Sequence, residues 1–336
     1  MGGDAANTIA VGAQAPRVTV VLLCYRDADY IREAIAGAFA QTVPCEIIIS
    51  NDASDDGTHE IACELAAQYR GPHQVSVRRN ARNVGVGAPV NEVLPLARGE
   101  IIVMMAGDDI AYSERVEVIL RAFDHVPQAM VLGSDFDCID SQGHHMVMRF
   151  RERPERFGLE YYVSIGRLIG LLGATLAFRR EVFDRFGPLK GPIEDNALSL
   201  RGALLGDCLC LRQPLIQYRR HAGSVSSIVF AREEPEEVAF RRRYERTIAF
   251  YRGTADDLEH CIAVLPELTG ERRRAALAVA QMYRLEAEAR AALLEQPRHK
   301  WVAPIFRGLQ HSGLRRKSAE RLLKLLLPRR WFGLKA

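Results

Sequence analysis

The chain has 336 residues and a formal net charge of +3, and 48% of its residues are hydrophobic and 26% charged. That length suits one large domain or two smaller ones, and the composition suits a packed core rather than global disorder. A net charge this small gives no support for a nucleic-acid partner.

The seven cysteines are odd in number and include no Cys-x-x-Cys pair. They are therefore predicted to be buried thiols in a reducing compartment rather than a disulfide or zinc framework. Residues 1–17 contain no apolar block, so they do not resemble a signal peptide. No run approaches the ~20 apolar residues of a membrane-spanning helix. These features predict a cytoplasmic protein.

Apolar runs alternate with helical patterns through the first third of the chain. Residues 1–16 are predicted to be a flexible tail. Apolar and β-branched runs predict strands at 18–24, 46–50, 75–79 and 101–106, with helices between them. This βαβαβαβ order predicts an α/β fold, Rossmann-like, with a doubly wound, mostly parallel sheet and right-handed crossovers.

The rest of the chain is predicted to extend the sheet and then to become helical. Helices are predicted at 113–125, 180–186 and 194–205, and strands at 130–139, 145–150, 175–178 and 208–217. Between 233 and 295 the composition of Arg, Glu, Ala and Leu predicts a helical hairpin, broken between Pro266 and Gly270. We therefore expect a tail at 1–16, an α/β domain at 17–227 and a helical appendage at 228–336.

Polar or acidic residues come after each of the first four predicted strands. They are Cys24-Tyr25, Asn51-Asp52, Asn83 and Asp108-Asp109. The carboxyl ends of parallel strands share one edge, so these clusters should converge on one crevice. Paired carboxylates after a strand buried on both faces suit a hard divalent cation that carries substrate phosphates. Each cluster taken alone is equally an acidic turn, and only their convergence indicates a site.

The crevice does not have the features of a dinucleotide-binding site. The loop after the first strand, 24–28, contains no glycine, whereas that fingerprint needs Gly-x-Gly-x-x-Gly there. A Gly-x-x-x-x-Gly-Lys-Ser/Thr phosphate loop is also absent from the sequence.

The order and spacing of these segments resemble the family 2 inverting glycosyltransferases, which have a GT-A type fold. The matching segments are VVLLCY at 20–25, SNDASDDGT at 50–58, NVG at 83–85, GDD at 107–109, ED at 194–195 and YRRHAGSVS at 218–226. The resemblance covers about residues 17–227. It implies transfer of a sugar from a nucleoside-diphosphate sugar to a hydroxyl of a glycan or lipid-linked acceptor, as in bacterial surface polysaccharide synthesis.

The resemblance also implies a role for each matching residue. For the nucleotide sugar, Asp52 is implied to bond the base, and Cys24 and Tyr25 to pack beside it. Asn83 is implied to lie in the flanking loop, and Asp108 to reach the ribose. The implied cofactor is Mg²⁺ or Mn²⁺, with Asp109 as its ligand and His221 near the metal or the diphosphate. Asp195 resembles the general base.

Two departures from the family's pattern leave alternatives open. Ala106 stands where the commoner Asp-x-Asp-Asp motif has its first acid, which predicts weaker metal binding, and Asn51 replaces another usual acid. A catalytically inactive sugar-nucleotide-binding or scaffold protein, or a nucleotidyltransferase, is the alternative function. Asp195 could also be only a helix-start acid beside Glu194, and His221 only a surface histidine.

Elementary chemistry supports the same roles. The leaving diphosphate gains negative charge, which a divalent cation and a neighbouring His⁺ or Arg would stabilise. The acceptor hydroxyl must lose its proton as it attacks, and a positioned carboxylate supplies a base for this step. One base on the face opposite the leaving group implies a single displacement with inversion.

The C-terminal segment is the most basic part of the chain. Residues 298–336 contain eleven Lys/Arg and one acid, Glu320, so they carry about +10. Trp301, Phe306, Trp331 and Phe332 lie among them. This mixture suits a peripheral helix on the anionic inner-membrane surface, and the alternative is a helix packed on the domain with a solvated basic face.

Overall fold

The computed structural model describes residues 16–85, 87–148, 153–166, 168, 170–224 and 236–326. The predicted flexible tail, the predicted boundary near residue 227, and Trp331 and Phe332 lie outside the described residues.

Ten strands occur in the described part of the chain. They are β1 (Val18–Cys24), β2 (Glu46–Asn51), β3 (Gln74–Arg79), β4 (Ile101–Ala106), β5 (Ile110–Ala111), β6 (Ala129–Ile139), β7 (His145–Met146), β8 (Arg156–Phe157), β9 (Ala177–Arg179) and β10 (Asp207–Arg219).

The α-helices of the same residues fall between the strands and after them. They are α1 (Ile31–Phe39), α2 (Thr58–Gln68), α3 (Ala88–Val93), α4 (Arg115–His125), α5 (Leu159–Ile165), α6 (Glu181–Asp184), α7 (Glu194–Leu205), α8 (Glu236–Ala263), α9 (Gly270–Glu295), α10 (Val302–Gln310) and α11 (Arg315–Leu326).

The strands form one sheet in the order β3-β2-β1-β4-β9-β6-β10-β5, with β7 paired to β6 and β8 to β10. The first four strands in this order are parallel, as the sequence predicts. In the other half the sheet is mixed, because β9 runs antiparallel to both β4 and β6, while β10 is parallel to β6. The predicted α/β class and the four βα repeats are therefore confirmed.

Strand β4 lies near the middle of the sheet and is buried on both faces. Ile102 and Met104 belong to one hydrophobic cluster, which extends into the C-terminal helices. Ile101, Val103 and Met105 belong to a second cluster, on the α1 and α4 side of the sheet. A strand with a core on each face needs apolar residues at successive positions, which explains the unbroken run in the sequence.

Helices α8 and α9 form the predicted hairpin and pack on α7 and α5. Tyr251, Leu258 and Tyr283 of the hairpin share one core with Tyr162 and Leu198 of the α/β part. The division at residue 227 stays a prediction, since the helices and the sheet bury a common core. Among the described residues, no helix combines the length and apolar character needed to span a bilayer.

Three short elements were not predicted from the sequence. Strands β5 and β8 have two residues each, which is too short for a hydrophobic period. Helix α5 has seven residues, bounded by Gly158 and by Gly166 with φ +68°. Such elements are set by tertiary pairing rather than by local pattern.

Candidate active site

The carboxyl end of β4 and the segment after β10 meet at one point on the sheet edge. Asp108, two residues beyond β4, accepts a hydrogen bond at Oδ2 from Nε2 of His221 at 3.1 Å. The imidazole ring packs on Tyr30, with ring centroids 4.6 Å apart. Both polar side chains stay partly exposed, so a carboxylate and an imidazole face the crevice together.

The neighbouring Asp109 points into the protein instead. It is 1% exposed, and its Oδ1 accepts the backbone N–H of Arg219 at 2.8 Å. Its Oδ2 is buried and has no hydrogen-bond partner among the described residues. Burial and the adjacent Asp108 raise the pKa of this carboxyl well above its usual range, opposed in part by Arg219 and by the buried guanidinium of Arg115.

Arg219, which the sequence analysis did not single out, links several parts of this edge. Its Nε donates to the carbonyl oxygen of Asp108 at 2.9 Å, and its Nη2 to Glu33 at 2.6 Å. The guanidinium lies 4.8 Å from the ring centroid of Tyr30. Arg219 thus fixes the Asp108 turn, helix α1 and the end of β10 relative to one another.

Asp52 lies at the end of β2 and holds the loop at 83–85. Its carboxylate accepts the backbone N–H groups of Val84 at 3.1 Å and Gly85 at 3.2 Å, and the side-chain amide of Asn80 at 2.7 Å. Asn83 accepts the Gly85 N–H at 3.0 Å. The structure therefore brings together the predicted Asp52 and Asn83, joined through backbone donors.

Cys24 and Tyr25 lie beside Asp52 but face opposite ways. The Cys24 thiol is buried, and burial raises its pKa to about 12, while its carbonyl oxygen accepts the Asp52 N–H at 2.9 Å. Tyr25 is exposed at the edge, with the Arg26 guanidinium 5.6 Å from its ring centroid. The tyrosine ring is thus available to a ligand, whereas the cysteine contributes backbone and packing.

Asp27 is a further site residue that the sequence analysis did not single out. Its Oδ2 accepts the Tyr25 N–H at 2.9 Å and lies 2.4 Å from where a Cβ on Gly107 would be. Burial and the Asp108 charge raise the pKa of Asp27 to about 7. In the sequence, the residue that indicates this close approach is Gly107, since any side chain there would overlap the Asp27 carboxylate.

Asp195 and Glu194 occupy the first turn of α7. The Asp195 Oδ1 accepts the N–H of Asn196 at 2.6 Å, and the Glu194 Oε2 is buried without a partner among the described residues. Burial raises the pKa of both carboxyls, and the Asp195 charge raises that of Glu194 further.

The loop before α7 is brought close to the loop that Asp52 holds. A Cβ added at Gly87, which precedes α3, would lie 3.1 Å from the carbonyl oxygen of Pro192. This contact brings the loop before α7 against the residue that precedes α3. Asp195 forms no hydrogen bond with Asp108 or His221.

The Asp108 carboxylate and the His221 imidazole are two possible ligands for a metal ion. Within the described residues, no group of three or more His, Cys, Asp or Glu is arranged to hold an ion. Mg²⁺ often takes only one or two carboxylates and obtains its other ligands from substrate phosphates and water. The pair therefore fits an ion that binds together with a diphosphate.

Four parallel strands alternating with helices, continued by a mixed half-sheet, with Asp52 and Asp108 just after the carboxyl ends of β2 and β4, are the arrangement of the GT-A type of fold. A family model described as glycosyl transferase family 2 matches residues 19–187. The chain belongs to this glycosyltransferase family.

Curated relatives match about three-fifths of this chain. An uncharacterized protein of Mycobacterium tuberculosis is 30% identical over 215 residues, covering 62% of this chain and 60% of the relative. The putative glycosyltransferase EpsH of Bacillus subtilis is 26% identical over 229 residues, 63% of each chain. The chain thus spans about three-fifths of the length of these relatives.

The crystal structure of S. aureus TarS 1–349 in complex with UDP-GlcNAc resembles this chain with a TM-score of 0.50 and 16% identity. The similarity covers 83% of this chain and 92% of the other. At this identity it supports the GT-A fold, which the sequence analysis predicted.

Proposed function

We propose that the protein transfers a sugar from a nucleoside-diphosphate sugar to an acceptor hydroxyl by a single displacement that inverts the anomeric configuration. The observation that carries the proposal is the shared edge of the sheet. There Asp52 fixes the loop at 83–85 and Asp108 meets His221 at 3.1 Å. The α7 acids are proposed to face the same site, which the contact between Gly87 and Pro192 of the preceding loop supports. We place the reaction in the cytoplasm, in the synthesis of a surface polysaccharide.

The donor is proposed to bind with its base between Tyr25 and the Asp52 loop. The exposed ring of Tyr25 offers an apolar face for a base. Asp52 is saturated with donors from the protein, so its first effect is to hold the loop at 83–85 in shape. A base would then meet an already ordered loop, which reduces the entropy cost of binding.

The diphosphate is proposed to lie at Asp108 and His221. An ion of Mg²⁺ or Mn²⁺ held by these two residues would supply charge compensation for the leaving diphosphate. The earlier prediction that Asp109 is the metal ligand stays a prediction, but its burial favours a different role. Asp109 fixes the end of β10 through the Arg219 N–H and so positions His221, two residues later.

Asp195 is proposed to be the general base that takes the proton from the acceptor hydroxyl. Its carboxyl is partly enclosed, has one oxygen held by the Asn196 N–H, and has a raised pKa. A carboxylate with a raised pKa is a stronger base than an ordinary one, while remaining ionised at neutral pH in part. The neighbouring Glu194, whose Oε2 is buried without a partner among the described residues and whose pKa is raised to about 8, would hold a proton while Asp195 is ionised.

The two alternative functions are disfavoured by specific residues. A nucleotidyltransferase would need a Gly-rich, basic loop after β1, whereas Arg26 there is paired to Asp55 at 2.7 Å. An inactive binding protein would have no need of a coupled acid pair at the start of α7.

The proposal is tested with UDP-, GDP- and dTDP-sugars in the presence of Mn²⁺. A donor that binds the folded protein raises its melting temperature, and that donor is then used to measure nucleoside-diphosphate release with water as acceptor. NMR of the released sugar should show the anomeric configuration opposite to that of the donor. Retention of configuration would exclude the single displacement.

Asp195→Asn separates catalysis from binding. The variant should release nucleoside diphosphate at least ~10²-fold more slowly, while its Kd for the donor stays within a few-fold. Glu194→Gln is the matched control on the preceding residue and should lose less. A near wild-type rate in Asp195→Asn would remove this residue from the base role.

A further inference from the structure

The C-terminal helices close a groove over β8, β10 and α5. It has a volume of about 910 Å³ and is called the basic groove, with the lining residues Arg153, Tyr161, Arg212, Ser312, Arg316 and Lys317. We propose that this groove binds a phosphate or diphosphate group carried by the sugar acceptor. The inference rests on the proposed function, because it assigns the acceptor of the same active site.

The walls of the groove are held by a close contact between α5 and the segment before α11. Gly166 ends α5 with φ +68°, and a Cβ there would overlap the carbonyl oxygen of Gly313. Lys317 donates to the Gly166 carbonyl at 2.7 Å. The groove is therefore a fixed feature of the fold, in which the C-terminal helices supply one side.

Four cations and one carboxylate, Glu320, line the groove. The carboxylates near its arginines are weak partners, since Arg212 is 3.7 Å from Glu155 and Arg316 pairs with Glu320 in full contact with water. The Arg212 guanidinium donates to the backbone carbonyl oxygen of Arg153, so Arg212 lies against a second residue that lines the groove. A guanidinium group matches the geometry of phosphate oxygens and can bind them in bidentate fashion.

Arg153 connects the groove to the proposed base. Its Nε is buried without a hydrogen-bond partner among the described residues. Its charge acts on the carboxyl of Asp195, where it partly opposes the effect of burial. The groove also adjoins the start of α7: Ile165 lines it, and a Cβ at Gly170, a few residues later, would lie 3.0 Å from Oδ1 of Asn196, which follows Asp195. This contact puts the basic groove on the side of the site where an acceptor hydroxyl would meet Asp195.

The donor is assigned to a different place. Tyr25, Asp52, Asp108 and His221 lie at the ends of β1, β2, β4 and β10, and none of them lines the groove. An occupant that presents a hydroxyl to Asp195 and an anion to Arg153 is therefore the acceptor. The same phosphate chemistry is carried by a soluble sugar phosphate and by a lipid-linked phosphate.

Binding is tested by calorimetry with inorganic pyrophosphate on the full-length protein in EDTA, so that metal-dependent binding at Asp108 is suppressed. Wild type should show saturable binding, and Arg212→Gln and Arg316→Gln should each weaken it by about tenfold, the loss expected for one charge-assisted hydrogen bond. Arg315→Gln is the matched control, since Arg315 is exposed on the same helix and does not line the groove. Equal binding in all four proteins, or none in wild type, would overturn the proposal.

The source of the phosphate is distinguished by nucleoside-diphosphate release from the donor. Glucose 1-phosphate tests the soluble source, and phosphatidylcholine vesicles containing a polyprenyl phosphate test the lipid source. Stimulation by either one, lost in Arg316→Gln and kept in Arg315→Gln, supports the acceptor assignment and names its source. Stimulation by neither overturns it.

Failure of the two proposals gives different results. If wild type releases nucleoside diphosphate into water but pyrophosphate binding does not depend on Arg212 or Arg316, only the groove assignment is lost. If no donor is turned over at all, the proposed function is lost whatever pyrophosphate does.

Discussion

Asp108 and Asp109 are adjacent in the sequence, but their carboxylates have different surroundings. Asp108 meets His221 at the crevice, whereas Asp109 is enclosed and bonded to the Arg219 N–H. Asp108→Asn should therefore abolish Mn²⁺-dependent donor binding in calorimetry, because a neutral amide is a poor ligand for a hard cation.

Asp109→Asn is the matched control for that experiment and should keep metal-dependent binding. Its cost should appear in stability, because Asp109 is 1% exposed and its Oδ1 accepts the Arg219 N–H, so the substitution changes a closely packed, hydrogen-bonded position. We expect a lower unfolding midpoint for Asp109→Asn than for Asp108→Asn. Loss of metal-dependent binding in Asp109→Asn alone would restore Asp109 as the ligand.

The α7 acids predict a pH dependence of the rate. Burial raises the pKa of Asp195 above its ordinary value, and a general base works only when deprotonated. As the pH falls through this raised pKa, kcat should fall about tenfold per pH unit, starting well above the range in which exposed aspartates titrate. Nucleoside-diphosphate release measured across pH 4–9 checks this.

Glu194→Gln should leave that acid limb in place, since an amide imitates the protonated form of Glu194. An acid limb at the pKa of an unperturbed aspartate would show that the base is not enclosed as the structure describes. If the fall in kcat at low pH disappears in Glu194→Gln but persists in Asp195→Asn, then Glu194 is the base and Asp195 is its neighbour.

Helix α8 supports the loop that carries the proposed base. Asp257 of α8 accepts bonds from Arg201 of α7 at 2.7 Å and from the Lys190 N–H at 2.9 Å. The side chains of Arg201 and Asp257 are 0% and 2% exposed. Arg201 also donates to the Gly187 carbonyl at 2.6 Å, so one buried ion pair ties both ends of this loop and helix to the appendage.

Asp257→Ala should destabilise the protein by about 3–5 kcal/mol, because it leaves the Arg201 charge buried without its partner. Urea unfolding followed by fluorescence measures the loss. Asp256→Ala is the matched control on the same helix. Its pair with Arg284 is exposed, so its loss should cost less than about 1 kcal/mol. Similar costs for both variants would contradict a special role for the buried pair.

In the whole molecule, the predictable parts are those in which local pattern and tertiary surroundings agree. Strand β4 was predicted correctly because both its faces are covered, which requires an unbroken apolar run. Helix α7 was predicted correctly because the residue pattern is helical along its whole length. The antiparallel insertion of β9 has no local signal, since strand direction depends on the chain path before it. Asp27 was missed for the same kind of reason, because its role depends on the approach of Gly107.

In the C-terminal segment, composition alone does not show which aromatic and basic residues are buried. Trp301, taken as part of an interfacial surface, is buried together with Ile305 against Ala292 of α9. Part of the basic charge is also used internally, because Arg321 bonds both oxygens of the buried Glu286 at 2.8 Å. Glu286 lies in α9, and nothing in the sequence of α11 indicates this partner.

Among the described residues of the C-terminal segment, a smaller apolar set remains for a membrane surface. Phe306 of α10 is 53% exposed and Leu323 of α11 is 61% exposed, among arginines and lysines of the same helices. Exposed apolar groups beside basic ones favour binding to anionic lipid, and salt weakens the electrostatic part.

We therefore expect the full-length protein to sediment with vesicles that contain phosphatidylglycerol and to be released at high salt. Phe306→Ser combined with Leu323→Ser should reduce the bound fraction, because less apolar surface enters the lipid, without lowering the unfolding midpoint. Val147→Ser is the matched control, since Val147 directly follows β7 and is 99% exposed. If the control reduces sedimentation as much as the double variant, or if neutral phosphatidylcholine vesicles bind equally well, the C-terminal helices do not form a membrane surface.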